Sequence, residues 1–114
     1  LRGRVMANTF KNKVFNGSNV VAANDMTVYT VPSSTTTVVI GLTLANTSTS
    51  QITVDIKLNA GQVVHLAKDI PIPASSSFEY MAGNKVVMET GHSLILNSDT
   101  ANSLDTVASI MEIT

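Results

Sequence analysis

From Thr37 to Ala45 an apolar side chain recurs at every second position: Val38, Ile40, Leu42 and Leu44. From Gln51 to Leu58 the same period returns as Ile52, Val54, Ile56 and Leu58, with Gln51, Thr53, Asp55 and Lys57 between them. A period of two places alternate side chains on opposite faces of a strand, so each run predicts a strand with one dry and one wet face. The polar stretch Asn46-Thr47-Ser48-Thr49-Ser50 between them has the length and composition of a hairpin loop.

Turn residues punctuate the rest of the chain. Asn16-Gly17 follows Lys13-Val14-Phe15, and Pro32-Ser33-Ser34 stops a run from Met26 to Val31. Asn59-Ala60-Gly61 leads into Gln62 to Ile70, where Pro71 and Pro73 forbid a central strand. Phe78 and Tyr80 share one face of a short strand, and Ser75-Ser76-Ser77 before it reads as a turn. Ala82-Gly83-Asn84 precedes Lys85 to Met88, and Thr90-Gly91 precedes His92 to Leu96. A polar loop, Asn97 to Asn102, leads to a last strand from Leu104 to Ile113. Eight or nine short strands with turn signals every 8–12 residues predict an all-β fold, an antiparallel β-sandwich of immunoglobulin-like or jelly-roll type.

The last strand is unlike the others. Leu104, Ala108 and Ile110 share one face, and Val107, Met111 and Ile113 share the other. A sandwich covers one face of each sheet, so the second apolar face calls either for a subunit or partner contact or for a bulge in the strand.

Composition supports the β reading. Val, Ile and Thr make up 36 of 114 residues, and these stiff side chains suit a pleated sheet. Charged residues are 13% of the chain, about half the usual share. The polar surface is instead drawn from 14 Thr, 12 Ser and 10 Asn. At this length the chain fits one domain, divided here into a basic N-terminal arm over 1–13 and a sandwich over 14–114. Arg2, Arg4, Lys11 and Lys13 give residues 1–24 a charge of +4, against −5 for the remainder. That asymmetry fits an arm reaching an acidic neighbour, or a frayed, solvated terminus. Met6-Ala7 resembles a translational start, so the five residues before it read as an extension or a processed end. The overall charge of −1 argues against a general nucleic-acid binder, and no apolar run is long enough for a membrane span. Without cysteine, thiol chemistry and disulfides are excluded.

Candidate chemistry is sparse. His65 and His92 stand apart from any close metal-ligand pair and read as structural or surface residues. No Gly-x-Ser-x-Gly elbow, close acidic pair or glycine-rich phosphate loop occurs. Asn97, Asp99, Asn102 and Asp105 offer oxygen ligands of the kind calcium uses, but not in the Asp-x-Asp-x-Asp-Gly order. Such residues more often simply form turns. Five aromatics and no Trp weaken a glycan or single-strand reading. Asn16-Gly17-Ser18 and Asn46-Thr47-Ser48 match the glycosylation sequon. The expectation is a non-enzyme without cofactor or metal.

Three segments stand out as a pattern of strands and turns: Met6-Ala7-Asn8-Thr9-Phe10-Lys11-Asn12, Val28-Tyr29-Thr30-Val31-Pro32 and Val39-Ile40-Gly41-Leu42-Thr43-Leu44-Ala45-Asn46. Lys68-Asp69-Ile70-Pro71-Ile72-Pro73, Met81 to Met88, and Thr90-Gly91-His92-Ser93-Leu94 continue the pattern in order. Together these segments resemble small virion proteins of tailed bacteriophages, a family common among phages of marine bacteria. The resemblance spans Met6 to Thr114. It implies a β-sandwich structural subunit, present in many copies as a capsid decoration (cement) or a neck or tail component. It carries no catalytic residues. His92 departs from it, because members of the family often have an acidic residue there.

The expected function is therefore assembly on a virion, formed in the bacterial host cytoplasm, with other capsid or tail proteins as partners and the chain itself homo-oligomeric. Arg2, Arg4, Lys11 and Lys13 are the candidate docking residues, and Val107, Met111 and Ile113 the candidate subunit interface. The alternative is a receptor- or glycan-binding module of a tail fibre, acting through the loops 46–50 and 97–102.

Overall fold

Alternation and turn chemistry resolve into nine strands, described by a computed structural model over residues 7–17, 20–80 and 85–114. They are β1 (Asn8–Phe15), β2 (Asp25–Thr30), β3 (Thr36–Asn46), β4 (Ile52–Asn59), β5 (Val63–Ile72), β6 (Ser77–Tyr80), β7 (Val86–Met88), β8 (Ser93–Ser98) and β9 (Leu104–Ile113). Two antiparallel sheets pack face to face. The first runs β1-β9-β3, with β6 and β7 both paired to the far side of β3; the second runs β2-β8-β4-β5. The chain changes sheet at every step except β4 to β5 and β6 to β7. With β6 and β7 as two pieces of one broken strand, this is the strand order of a jelly roll, two interlocked Greek keys.

The core lies between the sheets. Val39, Leu42 and Leu44 of β3 and Ala108 and Ile110 of β9 meet Ile52, Val54 and Ile56 of β4 and Leu94 and Leu96 of β8, all essentially excluded from solvent. Ile72, Met88 and Leu104 extend this buried cluster, and burying one Ile or Leu gains roughly 1.5–3 kcal/mol.

Two tyrosines close the open sides of the sandwich. Tyr29 on β2 donates its hydroxyl proton to Glu112 Oε2 on β9 (2.5 Å) and accepts from the Thr37 hydroxyl on β3 (2.7 Å). On the opposite side Tyr80 on β6 donates to the Leu66 carbonyl on β5 (2.7 Å).

The predicted strands form, but two neighbour relations differ from the sequence reading. β3 and β4 are not a hairpin: they lie in opposite sheets, and residues 47–51 carry the chain across the sandwich. Asn46 organises that crossing. Its Nδ2 donates to the carbonyls of Ser50 (2.9 Å), Ile72 (2.9 Å) and Pro73 (3.1 Å), and its Oδ1 accepts from the Ser48 amide (2.9 Å) and hydroxyl (2.7 Å). The sequon at Asn46 is thereby sealed inside the protein. The true hairpin joins β4 to β5, where Gly61 takes φ +89°, a conformation that favours glycine.

The second difference lies in β3. Its register against β9 slips between Val39 and Gly41. The extra residue, Ile40, reverses the alternation, so Val39 rather than Val38 joins Leu42 and Leu44 in the core. β9 itself pairs with β1 in unbroken register, so the pleat alone sets its two faces.

The boundary drawn at residue 13 runs through β1. Residues 8–13 pair with β9 as a regular edge strand, so they belong to the sandwich and not to an arm.

Candidate functional site

The two outer faces of the sandwich differ in chemistry. That of the β2-β8-β4-β5 sheet is polar. Lys57 Nζ bonds Asp25 Oδ1 (2.9 Å), Asn97 Nδ2 donates to the same carboxylate oxygen (2.9 Å), and His65 Nε2 lies 3.8 Å from Asp55 Oδ2. The Lys57 bond, followed by that from Asn97, holds the Asp25 carboxyl below its ordinary range.

The outer face of the β1-β9-β3 sheet is apolar. The registers Phe10↔Met111, Val38↔Met111 and Val38↔Val87 align four apolar side chains in one row across β1, β9, β3 and β7. A second row begins Val14↔Val107 and passes to Thr43 and Glu79. Ile113, between Asn8 and Thr36, borders the first. Phe10 is 72% exposed, Val14 69%, Val87 59% and Val107 40%. Four of the seven large exposed hydrophobic residues of the described chain are thus collected on one sheet face, while Val63 and Val64 lie at the start of the edge strand β5 and Val21 lies outside the strands. Glu79, which accepts from the Thr43 hydroxyl (2.7 Å), and Asp105 supply the charge at its rim.

The sequence-predicted trio Val107, Met111 and Ile113 lies together on this surface. Phe10, Val14, Val38 and Val87 complete it and were not singled out beforehand. In β1 the pattern is inverted: Phe10 and Val14 point outward, while Lys11 and Lys13 lie on the side facing the second sheet. Alternation shows that two faces differ; in an edge strand it does not show which one is turned inward.

Lys11 and Lys13 are consequently engaged within the fold. Lys11 Nζ lies 2.8 Å from Oε1 of the buried Glu112, and Lys13 Nζ sits 5.9 Å from the centre of the Tyr29 ring. The Lys11 bond, then the Tyr29 hydroxyl, hold the Glu112 carboxyl below its ordinary range. Burial first, and then the bond to Glu112, push the Tyr29 hydroxyl up to about 12. Of the four candidate docking residues, these two are structural. Arg2 and Arg4 lie outside the described residues. The described chain enters at Ala7, whose carbonyl accepts from the Thr114 amide (3.0 Å), at the Ile113 end of the apolar face. An open cleft of about 660 Å³, lined in part by Thr36, Val87, Glu89, His92 and Ile113, adjoins that end.

The loops 46–50 and 97–102 come together at one end of the sandwich, where the Thr47 amide donates to the Ser103 carbonyl (2.8 Å). Their polar groups largely serve the fold. Ser98 and Ser103 share a hydroxyl contact (2.9 Å), and Asp99 accepts from the Thr53 amide (3.1 Å). Three of the four residues weighed for calcium are taken by separate partners: Asn97 bonds Asp25, Asp99 bonds Thr53, and Asp105 caps the Gly17 amide (2.5 Å). Among the described residues no group of three or more His, Asp or Glu side chains could hold a metal ion. His92 serves its own turn, its Nδ1 accepting from the Glu89 amide (3.1 Å). No helix among the described residues is long and apolar enough to cross a membrane.

No protein-family profile and no curated protein matches this chain.

Proposed function

We propose that this chain is a structural subunit of a tailed-bacteriophage virion, a multi-copy accessory of the capsid (decoration or cement) or of the neck or tail. In this reading the outer face of the β1-β9-β3 sheet packs against neighbouring virion proteins, and Arg2 and Arg4 dock beside it. The observation that carries the proposal is the contrast between the two outer faces. One is wetted by Asp25, Lys57, Asp55 and His65; the other carries the row Phe10–Met111–Val38–Val87. An apolar sheet face rimmed by few charges can be covered by protein with little desolvation cost. The resemblance of the strand and turn segments to small phage virion proteins points the same way. Jelly-roll topology is shared by viral capsid and lectin domains, so the fold alone favours neither assembly nor glycan binding. The internal bonding of the loops 46–50 and 97–102 leaves the glycan-binding alternative less to work with.

The test supplies tagged protein to infected cells and quantifies it in purified virions. Wild-type protein should be incorporated in many copies. Val87→Lys with Val107→Lys, both exposed and outside the core, should fold normally yet be incorporated at least about tenfold less. Arg2→Ala with Arg4→Ala should also reduce incorporation, without touching β1. Absence of the wild-type protein from virions would refute the assignment, and equal incorporation of the double lysine variant would refute the role of the face.

A further inference from the structure

The four sheet edges are not equally protected. β5 contains Pro71, places Asp69 at φ +56° and slips register twice against β4. β2 carries a register shift between Thr27 and Tyr29. The far edge of the first sheet is broken into the short β6 and β7. Prolines, bulges and short segments are the usual means of keeping a sheet edge from pairing with another chain. β1 has none of them. It is eight residues long, free of proline and glycine, and regular against β9 throughout; among the described residues no strand pairs with its other edge. Lysine is the remaining edge-blocking device, and here Lys11 is held by Glu112 and Lys13 lies over Tyr29.

We propose that β1 is a pairing edge for a second copy of this chain: two subunits join β1 to β1 antiparallel about a two-fold axis through Asn12, giving one sheet of twice the width. The sequence of β1 is self-complementary in that register. Phe10 falls opposite Val14 of the second copy, and Val14 opposite its Phe10, an aromatic–β-branched pair made twice. Asn8, Phe10, Asn12 and Val14, the outward row, carry no charge, so that side of the junction brings no like charges together. On the inward side Lys11 falls opposite Lys13 of the other copy. Their repulsion is moderated by Glu112 and weakens further with salt. The junction also makes the two apolar faces continuous, since Phe10 heads the row that runs on to Met111, Val38 and Val87. A strand edge of eight residues is small beside standard interfaces, which places this dimer at the weak end, where many copies on a common support would reinforce it. The inference does not rest on the virion reading, because it concerns self-association in solution.

The chain has no cysteine, so Asn12→Cys introduces a single thiol, on the proposed axis. Directly opposed residues of antiparallel strands have Cα atoms about 4.5–5.5 Å apart, inside the range a disulfide spans. Under mild oxidation Asn12→Cys should form a covalent dimer at least about tenfold faster than Thr27→Cys, a control on the outer face of the other sheet. Sedimentation of the cysteine-free protein should show a dimer that tightens as salt rises. Phe10→Lys with Val14→Lys should weaken it about tenfold or more, and Phe10→Lys with Val14→Glu should restore it, because the new opposite charges face each other only in this register. Equal cross-linking at residues 12 and 27, a monomer at high micromolar concentration, or equal loss in both double variants would overturn the proposal. The last result would assign the association to face packing or to a different partner strand.

Discussion

Thr106 is a buried residue whose hydroxyl has no hydrogen-bond partner among the described residues. It lies in β9 opposite Phe15 on one side and Leu44 on the other, an environment that rewards a methyl group. A buried polar atom left unpaired costs about 1–3 kcal/mol. Thr106→Val keeps the shape and removes the penalty, so it should stabilise the protein by about 1 kcal/mol, a rise of roughly 4 °C in melting temperature. Calorimetry decides it; a fall in melting temperature would show that the hydroxyl is satisfied after all. Asn46 is the opposite case. Every polar atom of its side chain is paired, and one amide ties together the end of β3, the crossing loop and the end of β5. Each residue type carries a legible preference, for the sheet in Thr106 and for turns in Asn46. What none of them displays in sequence is its partner, because Ile72 and Pro73 are 26 and 27 residues away.

β1 is secured by little apolar burial. Its outward residues are exposed, and of its inward residues Phe15 packs against the core, while Lys11 holds through Glu112 and Lys13 through Tyr29. Such an element should open before the core does. Because Glu112 titrates below its ordinary value of 4.5, its contribution to stability is fully present above that value and disappears as pH falls through the depressed folded value. Glu112→Gln should therefore cost about 2 kcal/mol at pH 7, and the gap to wild type should close progressively below pH 4.5. Urea unfolding from pH 7 to pH 3 measures this; Asp25, also depressed, titrates in both proteins and cancels in the difference. A gap independent of pH would mean that Glu112 acts by packing alone. Elements were the most legible level of this fold, since a strand with one buried face announces itself by alternation. Their arrangement was less so. Ile52, Val54 and Ile56 alternate in the same way whether β3 lies beside β4 or across the core from it, which is how a crossing loop reads as a hairpin. A single extra residue, Ile40, was enough to exchange Val38 for Val39 in the core, and the one local mark of it is Gly41 at the slip, an isolated glycine inside a strand.

At the scale of the molecule, the two sheets are joined through the space between them and by Asn46 at one end. The core fills the middle, and Tyr29 and Tyr80 bridge from one sheet to the other along the two open sides. The outer face of the β1-β9-β3 sheet takes no part in this, so folding of the isolated subunit does not explain its apolar content. The separation of roles can be measured. Tyr80→Phe removes one neutral hydrogen bond and should cost about 1 kcal/mol at pH 7. Tyr29→Phe removes a bond to a buried carboxylate and should cost more, about 2 kcal/mol. Burial raises the Tyr29 hydroxyl to about 12, so its contribution is complete below the ordinary value of 10.0 and is lost as pH climbs through about 12. The wild-type advantage over Tyr29→Phe should shrink over that alkaline window. The two tyrosines share no partner and stand on opposite sides of the core, so the double variant should show the sum of the single losses to within about 0.5 kcal/mol. A smaller combined loss would mean that the sheets already part along one side when the other is released. In that case the sandwich would not be held rigid from within.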